Sequence, residues 1–272
     1  MADTRPSACS GLKTFAVVLA AAASIFLTLP SPVRAGAEDR LVVGLKAFRD
    51  GFHDLAAKEL RAFLEASPGD PRRADVLYVL AQAEIARENW PGAREPLEEL
   101  AKGGGDRARE GQYWLGWVAL KQGKKVEAAR DLDRYLAEPG GDRRADALYL
   151  AADLSREAGD PAGAAKRLGD FLRENPGDSR RGAAWAGWVD ALLASEQAAP
   201  ARDAAKSALA DPAVTASPDV LERVALRGAE ASRKANDPGG EVRFWSVLAQ
   251  GAKSQALRDR ARYREDNRKF RD

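Results

Sequence analysis

The sequence predicts an all-α protein, a solenoid of stacked helix pairs, and three observations carry that expectation. Gly-Asp recurs at Gly69-Asp70, Gly105-Asp106, Gly141-Asp142 and Gly177-Asp178, 36 residues apart each time, and a fixed period in that range marks a repeat architecture. The neighbours recur as well: Arg72-Arg73-Ala74-Asp75-Val76-Leu77-Tyr78 returns as Arg143-Arg144-Ala145-Asp146-Ala147-Leu148-Tyr149. Apolar residues return at helical spacing, as in Leu77, Leu80 and Ala81 or Leu148, Ala151 and Ala152, which makes a stripe that must face another helix. At 45% hydrophobic and 31% charged over 272 residues, the chain has the mix of a soluble globular protein.

Residues 1–35 read as an address ahead of the repeats. Met1 to Lys13 are polar with the cations Arg5 and Lys13, Thr14 to Leu29 are almost wholly apolar, and Pro30 breaks the run before Ala35 and Ala37. That order is the charged, apolar and small-residue sequence of a secretory signal. Its apolar core of about 15 residues is short of the roughly 20 that span a bilayer. Cleavage after Ala35 or Ala37 is expected, with an uncleaved anchor as the alternative, and both put the remainder across the inner membrane in the periplasm. Cys9 precedes the apolar run, so it is not placed as a lipid acceptor.

Residues 38–252 hold about six helix pairs. Asp70, Asp106, Asp142 and Asp178 are expected to cap the first helix of each unit, a contact that stabilises by about 1 kcal/mol over Ala. Gly51, Gly123 and Gly159 fall in the turns between helices, where positive φ meets no Cβ clash. Ala56, Ala93, Ala128 and Ala164 open the second helices and let two backbones approach. Pro161 and Pro218 suit a first turn, which has no use for the missing N–H. Pro96 strains the pattern by falling inside the second helix of unit two, which is expected to start late, near Glu95, or to bend. From Lys253 to the end, eight cations face four anions. Residues 253–272 are therefore expected to form a basic capping helix or tail, with Leu257, Ala261 and Phe270 docking inward, or else to touch anionic lipid or an acidic partner.

These positions resemble the tetratricopeptide repeat. Unit one carries Gly44, Gly51, Ala56, Leu60 and Pro68; unit two Leu77, Leu80, Ala81, Trp90, Ala93 and Leu97; unit three Leu115, Gly116, Gly123, Ala128 and Leu132; unit four Leu148, Ala152, Gly159, Ala164, Leu168 and Pro176. Unit five keeps Trp185, Trp188, Ala201, Ala205 and Ala208 without the turn Gly, and unit six keeps only helical periodicity and Asp237-Pro238. The resemblance implies a right-handed superhelical solenoid whose first helices line a concave, partner-binding face. Tyr113-Trp114-Leu115-Gly116 and the Phe-Leu-x-x-x-Pro-Gly-Asp endings after Phe63 and Phe171 look like secreted bacterial members, the YbgF type of the Tol-Pal system and the BamD type of outer-membrane protein insertion. What carries over is compartment and role class: a non-enzymatic envelope scaffold.

On that face the register presents Tyr78 and Gln82, Tyr113 and Trp117, then Tyr149 and Asp153. Tyrosines at one repeat position make either an aromatic ladder that grips a protein or peptide or packing between adjacent units. The Lys and Asn pattern that clamps a terminal carboxylate in some family members is absent there. The pairs Arg72-Arg73, Arg143-Arg144 and Arg180-Arg181 sit at helix starts, where the macrodipole disfavours cations. They are either a ridge for acidic partners or phosphate groups, or residues paired with local carboxylates.

The remaining inventory narrows the function. One Cys, one Met and one His, His53, cannot supply a Cys and His zinc site, and no motif supports a triad around His53. No catalytic, metal or cofactor site is expected. The net charge of +2 is owed to Arg5, Lys13 and Arg34 against Asp3, so the rest is balanced and offers nucleic acid no broad basic face. Two other roles fit a helical repeat chain: an accessory of a cell-wall hydrolase system, or a structural protein that self-associates end to end through its last unit. Membrane contact is expected only through an uncleaved leader or the basic tail.

Overall fold

The computed structural model describes residues 32–269, and among them every regular element is a helix. Residues 1–31 of the expected leader and Phe270 lie outside the described residues. The chain divides between Gly103 and Gly104 into two compact units, in the run Gly103-Gly104-Gly105 whose last member takes φ +75°.

The first unit contains α1 (Pro32–Arg49), α2 (His53–Ala66), α3 (Arg73–Ala86) and α4 (Trp90–Lys102). Each packs on the next, as short connections dictate for antiparallel helices. Leu41, Leu60, Phe63, Leu77, Leu80 and Leu100 form its core. Gly44 lets α1 and α2 close together, because a Cβ there would lie 2.8 Å from the Leu60 side chain. The two expected cleavage positions fall in the first turns of α1, and Ala37 is 2% exposed in this core.

The second unit contains α5 (Gly105–Lys121), α6 (Lys125–Leu136), α7 (Arg144–Glu157), α8 (Pro161–Glu174), α9 (Arg181–Ala194), α10 (Ala198–Ala208), the single turn α11 (Pro212–Thr215), α12 (Pro218–Lys234), α13 (Pro238–Gly251) and α14 (Gln255–Lys269). A continuous apolar cluster runs from Leu148 to Ala261, and a second gathers Tyr113, Leu132 and Tyr135. Within it α14 packs on α13 with Ala261 buried and Leu257 against the cluster, the docking expected of a cap.

The small residues behave as their positions require. Ala56, Ala93, Ala128 and Ala164 are buried, and Gly51, Gly123 and Gly159 take positive φ. The equivalent turns without Gly are closed by Glu88, Glu196 and Asn236, also at positive φ. In these turns the Asn89 amide reaches the Glu84 carbonyl and the Gln197 amide the Leu192 carbonyl, the six-to-one bond that satisfies a helix C-terminus.

Two expectations are corrected. Asp70 and Asp178 do not cap their helices: each accepts the amide two residues on, Arg72 or Arg180 at 2.8 Å, and the helix starts after those arginines. At Asp142 the Tyr135 hydroxyl takes that role, accepting the Arg143 amide at 3.0 Å, and Asp106 lies inside α5. The side-chain caps instead belong to Asn89, Asp160 and Asp237 at second helices, and to Asp211. Second, of the two outcomes expected of Pro96, α4 does not take the late start near Glu95. It starts at Trp90 and carries the buried Pro96 in its interior, because the Asn89 cap and Pro91 set the first turn and Pro96 forfeits a single bond there. Of the two readings left open for Tyr113, its burial selects packing, as described below.

Candidate functional site

The arginine pairs resolve into packing devices. Arg73, Arg144 and Arg181 reach back to the end of the preceding second helix, donating to the carbonyls of Leu64 at 3.1 Å, Leu136 at 3.3 Å and Leu172 at 2.6 Å. The same side chains pair forward with Glu99, Glu174 and Asp211 at 2.5–2.6 Å. Each guanidinium thus sits at the negative end of another helix, which removes the macrodipole conflict. The first members are partnered too, each with an aspartate two residues before it or with groups about 30 residues back. Arg72 binds Asp70 and Glu38, and Arg180 binds Asp178 and Asp146. Arg143 covers the Tyr113 and Trp114 rings at 5.9 and 5.4 Å. The pairs are therefore partnered residues, and the ridge reading falls.

That arrangement decides the tyrosines. Tyr113 is 4% exposed, edge-on to Tyr135 at 5.7 Å and Trp114 at 5.3 Å beneath Arg143. The position read from register is closed because Arg143, at the N-cap of α7, lies over it. Burial pushes its hydroxyl up to about 12. Tyr78 is half-buried against the first unit's core. Tyr149 is half-buried, edge-on to Phe171 at 5.5 Å, with Arg180 over its ring at 5.1 Å. Trp117 is half-buried, edge-on to Trp114 with Lys121 4.9 Å above its ring. Gln82 is half-buried with its amide nitrogen lacking a hydrogen-bond partner, and Asp153 is exposed.

Of these six residues, Tyr149 and Asp153 share a groove of about 900 Å³ in the second unit. Its floor is Ala152, Leu168, Gly187, Ala191 and Ala194, and α7, α9 and α12 supply its walls. The α12 wall carries Arg223, Arg227, Glu230 and Lys234, spaced by four, three and four so that one helix face holds them all. These side chains and Asp190 were not singled out in the sequence, although a lone acid inside the apolar run of α9 and a four-three-four charge stripe are visible signals. Asp190 accepts from Arg223 and meets Arg227 at 2.9 Å; Arg227 pairs with Glu230 at 2.8 Å, and Glu230 with Lys234 at 3.3 Å. On the α7 side Arg156 meets Asp153 at 3.4 Å. The Arg227 hydrogen bond holds the Glu230 carboxyl below the usual carboxylate range. Cations and anions alternate around a narrow apolar floor, an arrangement suited to an extended chain carrying both apolar and charged side chains.

The tetratricopeptide repeat family model matches residues 110–139 and 146–178. No curated protein matches the chain. Among solved structures, the chain is similar to the MamA protein, at 20% identity and a TM-score of 0.51 over 65% of this chain and 91% of that one. It is also similar to a tetratricopeptide repeat protein from Parabacteroides merdae, at 12% identity and 0.48 over 85% and 99%. Pseudomonas aeruginosa pilF aligns at 17% identity and 0.46 over 86% and 99%. The likeness to the first of these concerns the fold: stacked helix pairs of tetratricopeptide type.

Proposed function

We propose that this chain is a non-enzymatic scaffold of the bacterial cell envelope that holds a protein or peptide partner in the groove between α7, α9 and α12. The observation that carries the reading is the groove itself: about 900 Å³, with Tyr149 and Asp153 on one wall and the α12 charge stripe on the other. An extended segment laid there gains apolar burial against the alanine floor and pairs its charges with side chains already held in place, so little further ordering is lost on binding. Trp117, in the same unit, extends the proposed contact surface, and Tyr113 supports it through Trp114. The envelope assignment draws on the apolar run Thr14 to Leu29 behind Arg5 and Lys13. If the leader is cut, a cut after Ala35 retains the core residue Ala37. A Tol-Pal-like role in division or a role in outer-membrane assembly is the expected setting.

Photo-crosslinking in intact cells from Asp153 and Ala194, followed by mass spectrometry and by cell fractionation, tests both parts. An envelope protein captured from both positions, and lost with Tyr149→Ala, supports the reading. Capture that ignores Tyr149→Ala removes the groove, and recovery of the chain in the cytoplasmic fraction removes the compartment.

A further inference from the structure

Among the described residues, α1 is the one first helix of a pair that exposes large apolar side chains. Val42, Val43 and Leu45 are 62%, 44% and 41% exposed on a helix whose opposite side, Leu41, Gly44 and Ala47, is buried against its neighbours. Glu38, Val42, Leu45 and Arg49 follow at spacings of four, three and four, so they form one straight seam of the kind that receives knobs from a second helix. The seam is antisymmetric in charge about its midpoint, with acid at the start and cation at the end; beside it Asp39 and Lys46 add the same signs, while Arg40 and Asp50 carry the opposite ones and are paired within the chain, with Glu59 and Arg49. Turned end for end about the point between Val43 and Gly44, it presents Leu45 to Val42 and Arg49 to Glu38.

A surface that complements its own reversed copy fits a twofold interface, in which the same patch serves both partners. We propose that two copies of this chain associate through α1, antiparallel, with Val42 of each against Leu45 of the other and Glu38 against Arg49. The Glu38 carboxylate is already oriented by Arg72; in the pair it gains the second copy's Arg49, which is 75% exposed and meets its own neighbour Asp50 at 3.6 Å. A lipid surface fits less well, since an interfacial helix places cations along its flanks, whereas here one end of the seam is acidic. The seam is about 17 Å long, well below the area of a permanent interface, so the pair is weak and concentration-dependent. The proposal is independent of the groove and of the last unit, where end-to-end association was expected.

Sedimentation velocity of the full chain from about 1 to about 200 μM spans the range for such a contact. The expected result is a monomer that becomes a dimer across that range, with Leu45→Glu weakening dimerisation by about tenfold or more while the helical melting curve is unchanged. Arg49→Glu leaves acid at both ends of the seam and Glu38→Lys leaves cation at both, so each is expected to be monomeric alone and the one-to-one mixture to dimerise. That rescue cannot come from a folding defect. A parent chain that stays monomeric, a dimer that survives Leu45→Glu, or a mixture no better than its components overturns the proposal. Co-sedimentation with anionic vesicles that Leu45→Glu abolishes, without dimer in solution, overturns it in favour of a membrane.

Discussion

Asp211 illustrates how much one carboxylate does in this fold. It accepts from the Trp185 indole at 2.8 Å, the Ala213 amide at 2.9 Å and Arg181 at 2.5 Å, and Arg181 in turn closes the end of α8 at Leu172. Burial alone raises its pKa, yet these donors outweigh burial and hold it below the usual carboxylate range. Asp211→Ala removes the cap of α11, worth about 1 kcal/mol, and leaves the buried indole N–H unsatisfied, a further 1–3 kcal/mol or so. The expected loss is about 2–4 kcal/mol, read from the urea midpoint at unchanged slope. Asp211→Asn keeps a carbonyl acceptor, and is expected to lose less. A midpoint shift under about 0.5 kcal/mol for the alanine variant defeats this account. None of this is visible in sequence beyond Asp211-Pro212, which signals a helix start without revealing that an indole 26 residues earlier depends on it.

At the scale of elements, turn chemistry was legible and the use of the turns was not. Period, alanine spacing and turn glycines place the helix pairs, because backbone approach and positive φ tolerate few residue types. The Asp caps failed because an aspartate three residues before a helix can satisfy the turn that leads into it, and sequence spacing alone does not separate the two geometries. The choice between the two readings of Tyr113 has a tertiary cause: its lid, Arg143, is 30 residues away. The turns closed by side-chain-bearing residues give the element-scale predictions. Glu196 holds φ +61°, a conformation that costs a non-Gly residue roughly 1 kcal/mol. Glu196→Gly is therefore expected to stabilise by about 0.5–1 kcal/mol, raising the melting temperature, whereas Glu196→Ala is expected to leave it nearly unchanged. The reverse change in a helix goes the other way. A Cβ at Gly228 would run into the ring of Phe244, which is fully buried, so Gly228→Ala is expected to cost about 1–3 kcal/mol. Equal melting of Gly228→Ala and parent defeats the close-approach argument for α12 and α13.

For the whole molecule, near-neutral charge conceals extensive local pairing, and pH exposes it. Asp178, Asp203, Asp211, Glu230 and Asp237 are all held below the ordinary carboxylate range, Asp178 by Arg180, Asp203 by Arg202, Glu230 by Arg227 and Asp237 by the Gly240 amide. In the unfolded chain these groups take up protons near pH 4, while the folded chain resists until lower pH. Their contribution is present above the unfolded values and is lost as pH falls through the folded ones. At the alkaline end burial raises Tyr113 to about 12 and raises Tyr135 as well. The unfolded chain releases those protons near pH 10, so that contribution holds below pH 10 and is lost as the pH climbs towards 12. Stability is thus expected to be level between about pH 5 and pH 9, to fall on both sides, and to take up protons on unfolding in acid and release them in alkali. Urea midpoints across pH measure the curve. Tyr113→Phe separates the limbs, since it is expected to shorten the alkaline fall while leaving the acid one in place; an acid limb absent in the parent, or an alkaline limb unaltered in that variant, defeats the assignment.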